Sequence, residues 1–331
     1  MKNGYKVIDI EHHFATQDMC DQCAKMGIEP SVTLNDTDGC YKYIYDLGEE
    51  RIKEMDSAGV DFAHISLTSD PGAEFLPVET SKHVAAVAND VLAEAVARHP
   101  NRFGGWIELA PEDPLWCIKE IDRAVAMGLY GWATISNFKG ERLDSPKYWP
   151  ILEKIEDTGM PIYLHPTFSV DPSLTEFGFC TKGPSIGFML DVSITFMRMI
   201  LRGVFDRFPK LKIILGHDGE AFPFLKNRMD TAHRQKHGRP NPAVAKGSIH
   251  EPSYYLEQNV WITTSGNYLY EALRCCIDVM APDRVLFSSD YPYEELAHGV
   301  NFIADNDKVT DAEKRVLLWD NAAALGFGPK K

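Results

Sequence analysis

The sequence has no long apolar segment and no excess of positive charge. No apolar run is long enough to span a bilayer, and the first residues, MKNGYKVIDIEHHF, lack the apolar core of a signal peptide. The formal net charge is -14, and an acidic surface repels the phosphate backbone of nucleic acid. We therefore expect a cytoplasmic protein that binds neither membranes nor nucleic acid.

The cysteines do not have the pattern of a disulfide framework. There are seven, an odd number at irregular spacing. The pair Cys20 and Cys23 forms one C-x-x-C motif, but no second pair lies at zinc-site spacing. Free thiols in a reducing compartment are the simpler interpretation. A chain of 331 residues, 44% of them hydrophobic, can bury a large core without covalent cross-links.

Eight short apolar segments alternate along the chain with segments of helical periodicity. They are apolar on both faces, as parallel strands covered by helices are. This order predicts an α/β fold, a (β/α)8 TIM barrel. A doubly wound open sheet is the alternative, but no G-x-G-x-x-G follows the first strand. The predicted strands are residues 7–10, 62–67, 103–109, 130–135, 161–164, 212–215, 260–263 and 284–287.

Two long segments, residues 14–45 and 167–187, each follow a predicted strand. In a barrel, the loops after the strands lie on the C-terminal face, where barrel enzymes have their active sites. Both segments are therefore expected to be insertions over that face. No segment of linker composition divides the chain, so we predict a single domain over residues 1–331.

Side chains that can bind a metal stand at the C-terminal ends of several predicted strands. Glu11 and His13 follow the first strand. His165 follows the fifth, and Asp290 follows the eighth. Closure of a barrel brings these strand ends together, and imidazole and carboxylate groups are ligands of zinc and manganese. We therefore predict that these four residues hold one divalent metal ion, zinc or manganese.

His217, in IILGHDGE, follows the sixth predicted strand. It either binds the metal or forms a hydrogen bond with substrate or bound water, and we favour the second role. Glu220 could orient it, as carboxylates orient histidines around metal sites. His12 points away from Glu11 and His13 on an extended segment, so we expect it to be structural. The fourth strand, YGWATISN, ends without a lysine that could bridge two ions, which favours one metal.

Seven segments carry a family resemblance when they are taken together: IEHHFA, DLGEERIKEMDSAGVDFAHISLTS, ANDVLAEAVARHPNRFGG, PIYLHP, GVFDRFPKLKIILGHDGEAFPFLKNRMD, ITTSGN and RVLFSSDYPYE. They resemble the metal-dependent decarboxylases of the amidohydrolase superfamily, the group of aminocarboxymuconate-semialdehyde decarboxylase. Within this group the resemblance is nearest to the γ-resorcylate, 2,3-dihydroxybenzoate and 5-carboxyvanillate decarboxylases. It covers nearly the whole chain.

The resemblance implies a role for several further residues. His217 would face the substrate, and Glu220 would support it. Arg228 resembles the family arginine that contacts the substrate carboxylate, and Arg51 resembles a second arginine that some members use across a subunit boundary. Tyr293, in the last matching segment, is expected to contact substrate. Members of the family are dimers or tetramers, so a homo-oligomer is expected.

The sequence departs from the family where HDGE replaces the commoner H-M-G-E, which puts Asp218 beside the predicted site. We expect the Asp218 side chain to point away from the site, because it would otherwise repel a substrate carboxylate.

The resemblance implies the non-oxidative decarboxylation of an ortho-hydroxybenzoate, such as a dihydroxybenzoate, salicylate or carboxyvanillate. The metal would chelate the substrate carboxylate and phenolate, and Asp290 would protonate the ring carbon. A metal-dependent hydrolase or hydratase on the same scaffold, with Asp290 as a base, is the alternative. A non-catalytic metal-binding protein is a further alternative, and it predicts no open coordination position.

Overall fold

A computed structural model describes residues 2–28, 43–69, 72–235 and 247–329. Within these ranges, parallel strands form two sheets, β1-β2-β3 and β4-β5-β6-β7-β8. Backbone bridges join the sheets at both junctions, between Ile107 and Trp132 and between His12 and Tyr291. The sheets therefore close into a barrel, which confirms the predicted fold. The strands are β1 Ile8–Phe14, β2 Phe62–Leu67, β3 Phe103–Gly105, β4 Trp132–Ile135, β5 Pro161–His165, β6 Lys212–Leu215, β7 Val260–Thr263 and β8 Val285–Leu286.

Helices cover the outside of this barrel. Side chains and glycines of the local sequence set several of their ends: the Thr16 hydroxyl accepts a hydrogen bond from the Met19 amide at the start of α1, and Gly159 takes a left-handed backbone at the end of α5. The helices are α1 Gln17–Lys25, α2 Glu49–Ala58, α3 Val78–Arg98, α4 Pro114–Ala126, α5 Trp149–Thr158, α6 Phe179–Lys182, α7 Gly187–Arg202, α8 Val204–Arg207, α9 Phe222–Arg234, α10 Pro252–Asn259, α11 Tyr270–Met280, α12 Leu296–Ala304, α13 Asp311–Arg315 and α14 Asn321–Ala324.

The first strand is longer than its apolar run predicts. It continues to Phe14 because the polar residues after Ile10 still pair with β2, with His13 opposite Ser66. The pairing register shifts between Asp9 and His12. Such an irregularity changes the direction in which the side chains project. The first strand thus carries its polar residues within the barrel wall rather than on a loop beyond it.

Part of the insertion after β5 is apolar enough to cross a membrane by length and composition, contrary to the expectation that no such run exists. This segment, Phe179–Arg202, has 39% of its most apolar window buried. It contains α6 and α7, and the inner face of α7, including Val192, Phe196 and Ile200, is fully buried in the core. The hydropathy of α7 therefore corresponds in part to a helix face that packs against the barrel.

The six cysteines within the described ranges are free thiols, and Cys40 lies outside those ranges. The expectation of free thiols therefore holds for the cysteines that the structure describes.

A buried ion pair joins α7 to the loop that follows β4. Arg142 donates to Asp191 Oδ1 at 2.7 Å, and the side chains are 9% and 0% exposed. Asp191 Oδ2 also accepts hydrogen bonds from Ser136 at 2.5 Å and from Asn137 at 2.7 Å. Ser136 Oγ in turn accepts from the Thr167 amide at 3.2 Å. This network therefore anchors the insertion that follows β5.

Asp191→Ala should destabilise the protein by about 3–5 kcal/mol, because it leaves the charge of Arg142 buried without a partner. Urea unfolding followed by circular dichroism would measure the loss. Asp157→Ala, at an exposed position of α5, is the matched control and should change stability by less than about 0.5 kcal/mol. Equal stabilities of the two variants would show that the pair contributes little.

Candidate active site

Four side chains from separate strand ends converge inside the C-terminal rim of the barrel. Glu11, His165, His217 and Asp290 each offer one ligand atom, and these atoms lie within 4.8 Å of one another. Glu11 Oε1 is 3.7 Å from His165 Nε2 and 3.9 Å from His217 Nε2. These separations are too long for direct hydrogen bonds. They leave a space that a single cation can share.

His13 lies beside this group and contacts it through Asp290. Its Nε2 is 3.1 Å from Asp290 Oδ1, while its Nδ1 is 3.1 Å from Ser66 Oγ. His165 is held in the same way, with Nδ1 2.8 Å from Ser69 Oγ. Hydrogen bonds on Nδ1 orient each ring and direct Nε2 towards the centre. The structure thus brings three of the four predicted ligands into one group with His217, and it places His13 beside this group, in contact with Asp290.

The charges of this group fit a divalent cation. Glu11 Oε1 is buried and has no hydrogen-bond partner among the described residues, while Oε2 accepts from Ser265 at 2.6 Å. Burial raises the pKa of Glu11, and the charge of Asp290 raises it further. Burial also lowers the pKa of His165 to about 3, which keeps the imidazole neutral, the form that binds metal. A cation would stabilise both carboxylates, and it could bind Glu11 Oε1, which has no other partner among the described residues.

His217 is the positive partner of these carboxylates within the chain itself. Burial alone would lower its pKa, but pairing with Asp290 and Glu220 outweighs burial and raises it well above its usual value. Glu220 Oε1 lies 3.0 Å from His217 Nδ1, as the sequence predicted. Burial alone would raise the pKa of Asp290, but His13 and His217 together hold it below its usual range.

The backbone at these loops is left-handed at residues other than glycine. His217 has a φ of 50° and Asp290 a φ of 59°. This conformation is unfavourable for most L-residues and is retained mainly where the surrounding structure requires it. Here it turns both side chains back over the barrel mouth, which no propensity of the local sequence predicts.

His165, His217 and Asp290 of this cluster form the floor of a cavity of about 360 Å³. One wall is aromatic and consists of Phe168, Phe179 and Phe188, which come from the insertion after β5. Tyr293 also lines the cavity, and its hydroxyl contacts Thr68 Oγ1. A cavity with an apolar wall and a few convergent polar groups is typical of a site for a small organic molecule.

Arg51 does not line the cavity of its own chain, and its expected contact with substrate across a subunit boundary stays a prediction. Arg51 is 0% exposed, and its guanidinium donates to the backbone carbonyls of Asp46 at 2.7 Å and His13 at 2.9 Å. Arg51 therefore joins the segment before α2 to the end of β1 through hydrogen bonds. Arg228 is exposed on α9 and does not line the cavity of its own chain.

Two neighbours of the cluster point away from it, as expected. His12 is buried, with Nε2 3.0 Å from Asp9 Oδ2. Asp218 is also buried and does not line the cavity. Burial raises the pKa of Asp218 to about 7. Neither residue adds charge to the wall that a substrate would meet.

Comparison with known proteins agrees with this geometry. The amidohydrolase family model matches residues 8–325 of the chain. The chain belongs to the amidohydrolase family. A γ-resorcylate decarboxylase of Polaromonas sp. JS666 is 31% identical over 96% of this chain and 97% of its own length.

Solved structures of relatives lead to the same family. A 5-carboxyvanillate decarboxylase of Sphingomonas paucimobilis has a TM-score of 0.88 at 32% identity, covering 97% of this chain and 99% of that one. A 5-carboxyvanillate decarboxylase of Novosphingobium aromaticivorans, with manganese and 4-hydroxy-3-methoxy-5-nitrobenzoic acid, has a TM-score of 0.86 at 31% identity, covering 97% of this chain and 96% of that one. Both relatives are named as decarboxylases.

The amidohydrolase site contains two buried acids that the sequence analysis missed. Glu74 and Glu108 are 5% and 6% exposed. They line a second cavity of about 20 Å³, together with Ser66 and Ser69, the serines that hold His13 and His165. This volume has room for about one water molecule. Glu108 follows β3. The criterion that identified the other candidates, a metal-binding side chain after a strand, could therefore have identified Glu108 as well.

We expect the amidohydrolase to bind about one equivalent of a divalent metal, and Glu11→Gln to lose most of it, because an amide carries no charge. Elemental analysis would measure the metal content. Thermal unfolding with added Mn²⁺ should raise the Tm of the wild type but not of the variant. Glu153→Gln, on the exposed side of α5, is the control. Two equivalents in the wild type, or full occupancy in Glu11→Gln, would contradict the prediction.

Glu74→Gln should stabilise the protein more at alkaline than at acidic pH. Burial raises the pKa of Glu74 to about 7, whereas the unfolded chain loses this proton near a pKa of about 4.3. The wild type therefore loses stability as the pH rises between these values, and glutamine avoids the loss. At about 1.4 kcal/mol per pKa unit, the advantage of the variant should be roughly 2 kcal/mol larger at pH 8.5 than at pH 5.5.

Urea unfolding of the metal-loaded protein at both pH values would measure this difference, with Glu153→Gln as the control. The same advantage at both pH values would show that Glu74 is ionised throughout.

Proposed function

We propose that this amidohydrolase removes the carboxylate of an ortho-hydroxybenzoate without oxidation. The observation that carries the proposal is that His165, His217 and Asp290 of the metal-binding group line the same cavity as an aromatic wall. The floor suits a carboxylate with an adjacent hydroxyl, and the wall suits a benzene ring. The relatives named above, which act on such acids by their names, support the same reaction.

We propose that Glu11, His13, His165 and Asp290 hold one zinc or manganese ion. When bound, the metal would supply a positive charge to the site. The substrate carboxylate and phenolate oxygens can chelate an ion of this kind. His217 belongs to the compact group of ligand atoms and is the alternative ligand to His13. We favour the role of substrate contact for His217, because pairing with Asp290 and with Glu220 raises the pKa of the ring and keeps it charged.

Loss of carbon dioxide from an aromatic ring leaves an unstable carbanion unless the ring carbon is protonated first. Asp290 can supply this proton, because it lies on the cavity floor. His13 contacts only its Oδ1, so Oδ2 can carry the proton. We propose that the ortho hydroxyl transfers its proton to Asp290 as the substrate binds. Asp290 then passes the proton to the carbon that bears the carboxylate, and C–C cleavage restores aromaticity.

His217 and Glu220 form the second part of this proposal. His217 Nε2 lies 3.9 Å from Asp290 Oδ2, so a charged imidazole stabilises Asp290 as it gives up its proton. The phenolate of the product takes up a proton from solvent. The aromatic wall keeps water from the ring while the carbon is protonated, which limits competing reactions.

We also propose that the enzyme is a cytoplasmic homodimer or homotetramer with one barrel domain per chain. Apolar side chains are exposed on α9 and near the cavity mouth, with Phe224 at 86% and Phe177 at 68% exposure. Since Arg228 is exposed on the same helix, its predicted contact with substrate requires the cavity of a neighbouring copy.

Asp290→Asn should lower carbon dioxide release by about 10²-fold or more, since general acids contribute about 10²–10⁴-fold. Asparagine keeps an oxygen that can bind the metal but has no acidic proton. In deuterated water, the wild type should place deuterium on the vacated carbon, and the variant should not. Gas detection and mass spectrometry of the phenol would follow both events.

Asp283→Asn, at an exposed position before β8, is the matched control. Near-normal turnover by metal-loaded Asp290→Asn would remove Asp290 as the acid. Activity on an amide or ester, without carbon dioxide release from any hydroxybenzoate, would favour the hydrolase alternative. The lowered pKa of Asp290 would suit a base in such a reaction.

A further inference from the structure

The cavity wall contains a carboxylate, Glu294, that the metal-binding group does not use. Its position is set by the turn after Asp290. The amides of Tyr293 and Glu294 both donate to the Asp290 carbonyl, at 2.8 and 3.2 Å. The turn therefore carries Glu294 to the same side of the cavity as the residue proposed to protonate the ring.

The Glu294 side chain differs from the other glutamate of the cavity. Glu220 is engaged by His217. For Glu294, no side-chain hydrogen bond or ion pair occurs among the residues that the structure describes. The side chain is half-buried and lines the cavity. Glu294 thus offers the cavity an acceptor that has no partner within the described chain.

The charges around Glu294 restrict the group that can lie against it. Within the described part of the cavity wall, no lysine or arginine is present, and the possible cations are His165 and His217 of the floor. Lys182 stacks over the ring of Phe168 at 4.4 Å but does not line the cavity. An ionised carboxylate accepts hydrogen bonds and repels a second carboxylate. A hydroxyl group can donate to it.

We propose that Glu294 determines substrate specificity, by accepting a hydrogen bond from a second ring hydroxyl and by excluding a second carboxylate. This inference rests on the proposed decarboxylation and narrows its substrates to benzoic acids with one carboxylate and two hydroxyls. Overall sequence identity does not distinguish a dihydroxybenzoate from a dicarboxylate as the substrate. Relatives named for a dihydroxybenzoate and for a dicarboxylate are 31% and 32% identical to the chain.

The expected size of the effect follows from a hydrogen bond to a charged group, which corresponds to about 10- to 100-fold in kcat/KM. The wild type should therefore decarboxylate its best dihydroxybenzoate at least about 10-fold more efficiently than salicylate, which lacks the second hydroxyl. A hydroxyisophthalate, which carries a second carboxylate, should be the poorest substrate of the three.

The test uses the metal-loaded full-length enzyme and measures kcat/KM from carbon dioxide release for these substrate classes. In Glu294→Gln, the preference for the dihydroxybenzoate over salicylate should fall by about 10-fold or more, while salicylate turnover stays within about 3-fold. The relative turnover of the hydroxyisophthalate should rise. Glu294→Asp, which keeps the charge, should retain part of the preference. Glu295→Gln, at the neighbouring exposed position, is the control and should leave every ratio unchanged.

An unchanged ratio in Glu294→Gln, or an equal loss for all substrates, would overturn the specificity role. A wild type that prefers the dicarboxylate would overturn it as well, even if the glutamine variant does not fold. Both results leave the decarboxylation itself intact. Absence of carbon dioxide release from every hydroxybenzoate would instead overturn the proposed function, and this inference with it.

Discussion

Two neighbouring carboxylates, Glu11 and Asp290, are the constraint on which the rest of the site depends. They come from the first strand and from the loop after the last, and closure of the barrel brings them into one space, where their side chains are 1% and 17% exposed. Like charges cannot be buried together without compensation. The surrounding imidazoles meet this need in part. A divalent cation would meet it fully, and Glu11 Oε1, which has no hydrogen-bond partner in the described part of the chain, is available to bind one.

The supporting shell keeps the imidazoles ready for that cation. Ser66 and Ser69 bind the Nδ1 atoms of His13 and His165, and both serines also border the small cavity of Glu74 and Glu108. The metal-binding floor is therefore backed by a second buried acidic layer. This arrangement fixes the ring orientations through hydrogen bonds of the protein itself, so binding of a metal requires little rearrangement.

Reaction and selectivity come from different parts of the cavity. The floor, built on strand ends, carries the groups proposed for metal binding and proton transfer, and these are placed by the barrel. The walls come from the insertion after β5 and from the turn that carries Tyr293 and Glu294. Loops vary more readily than strands. Relatives can therefore share the chemistry of the floor while the walls select different rings.

Much of this arrangement could be predicted from sequence because it depends on local pattern. Apolar runs of strand length identified the barrel, and the placement of Glu11, His165 and Asp290 after such runs identified the floor. Predicted ends were less accurate: β1 continues through polar residues that still pair with β2. Apolar periodicity marks burial rather than backbone pairing, so it stopped at Ile10.

Other features depended on the tertiary structure. Arg51 and Arg228 are both arginines of family motifs, yet one is buried beneath β1 and the other is exposed on α9. Which side chains an arginine can reach depends on distant segments that pack around it, and no local pattern records them. The same holds for Glu108 and Glu294. The sequence by itself determined the barrel and the residues able to bind a metal, because strand periodicity and side-chain chemistry are local properties. Only the tertiary structure decided which charges remain free in the cavity, because that depends on long-range contacts.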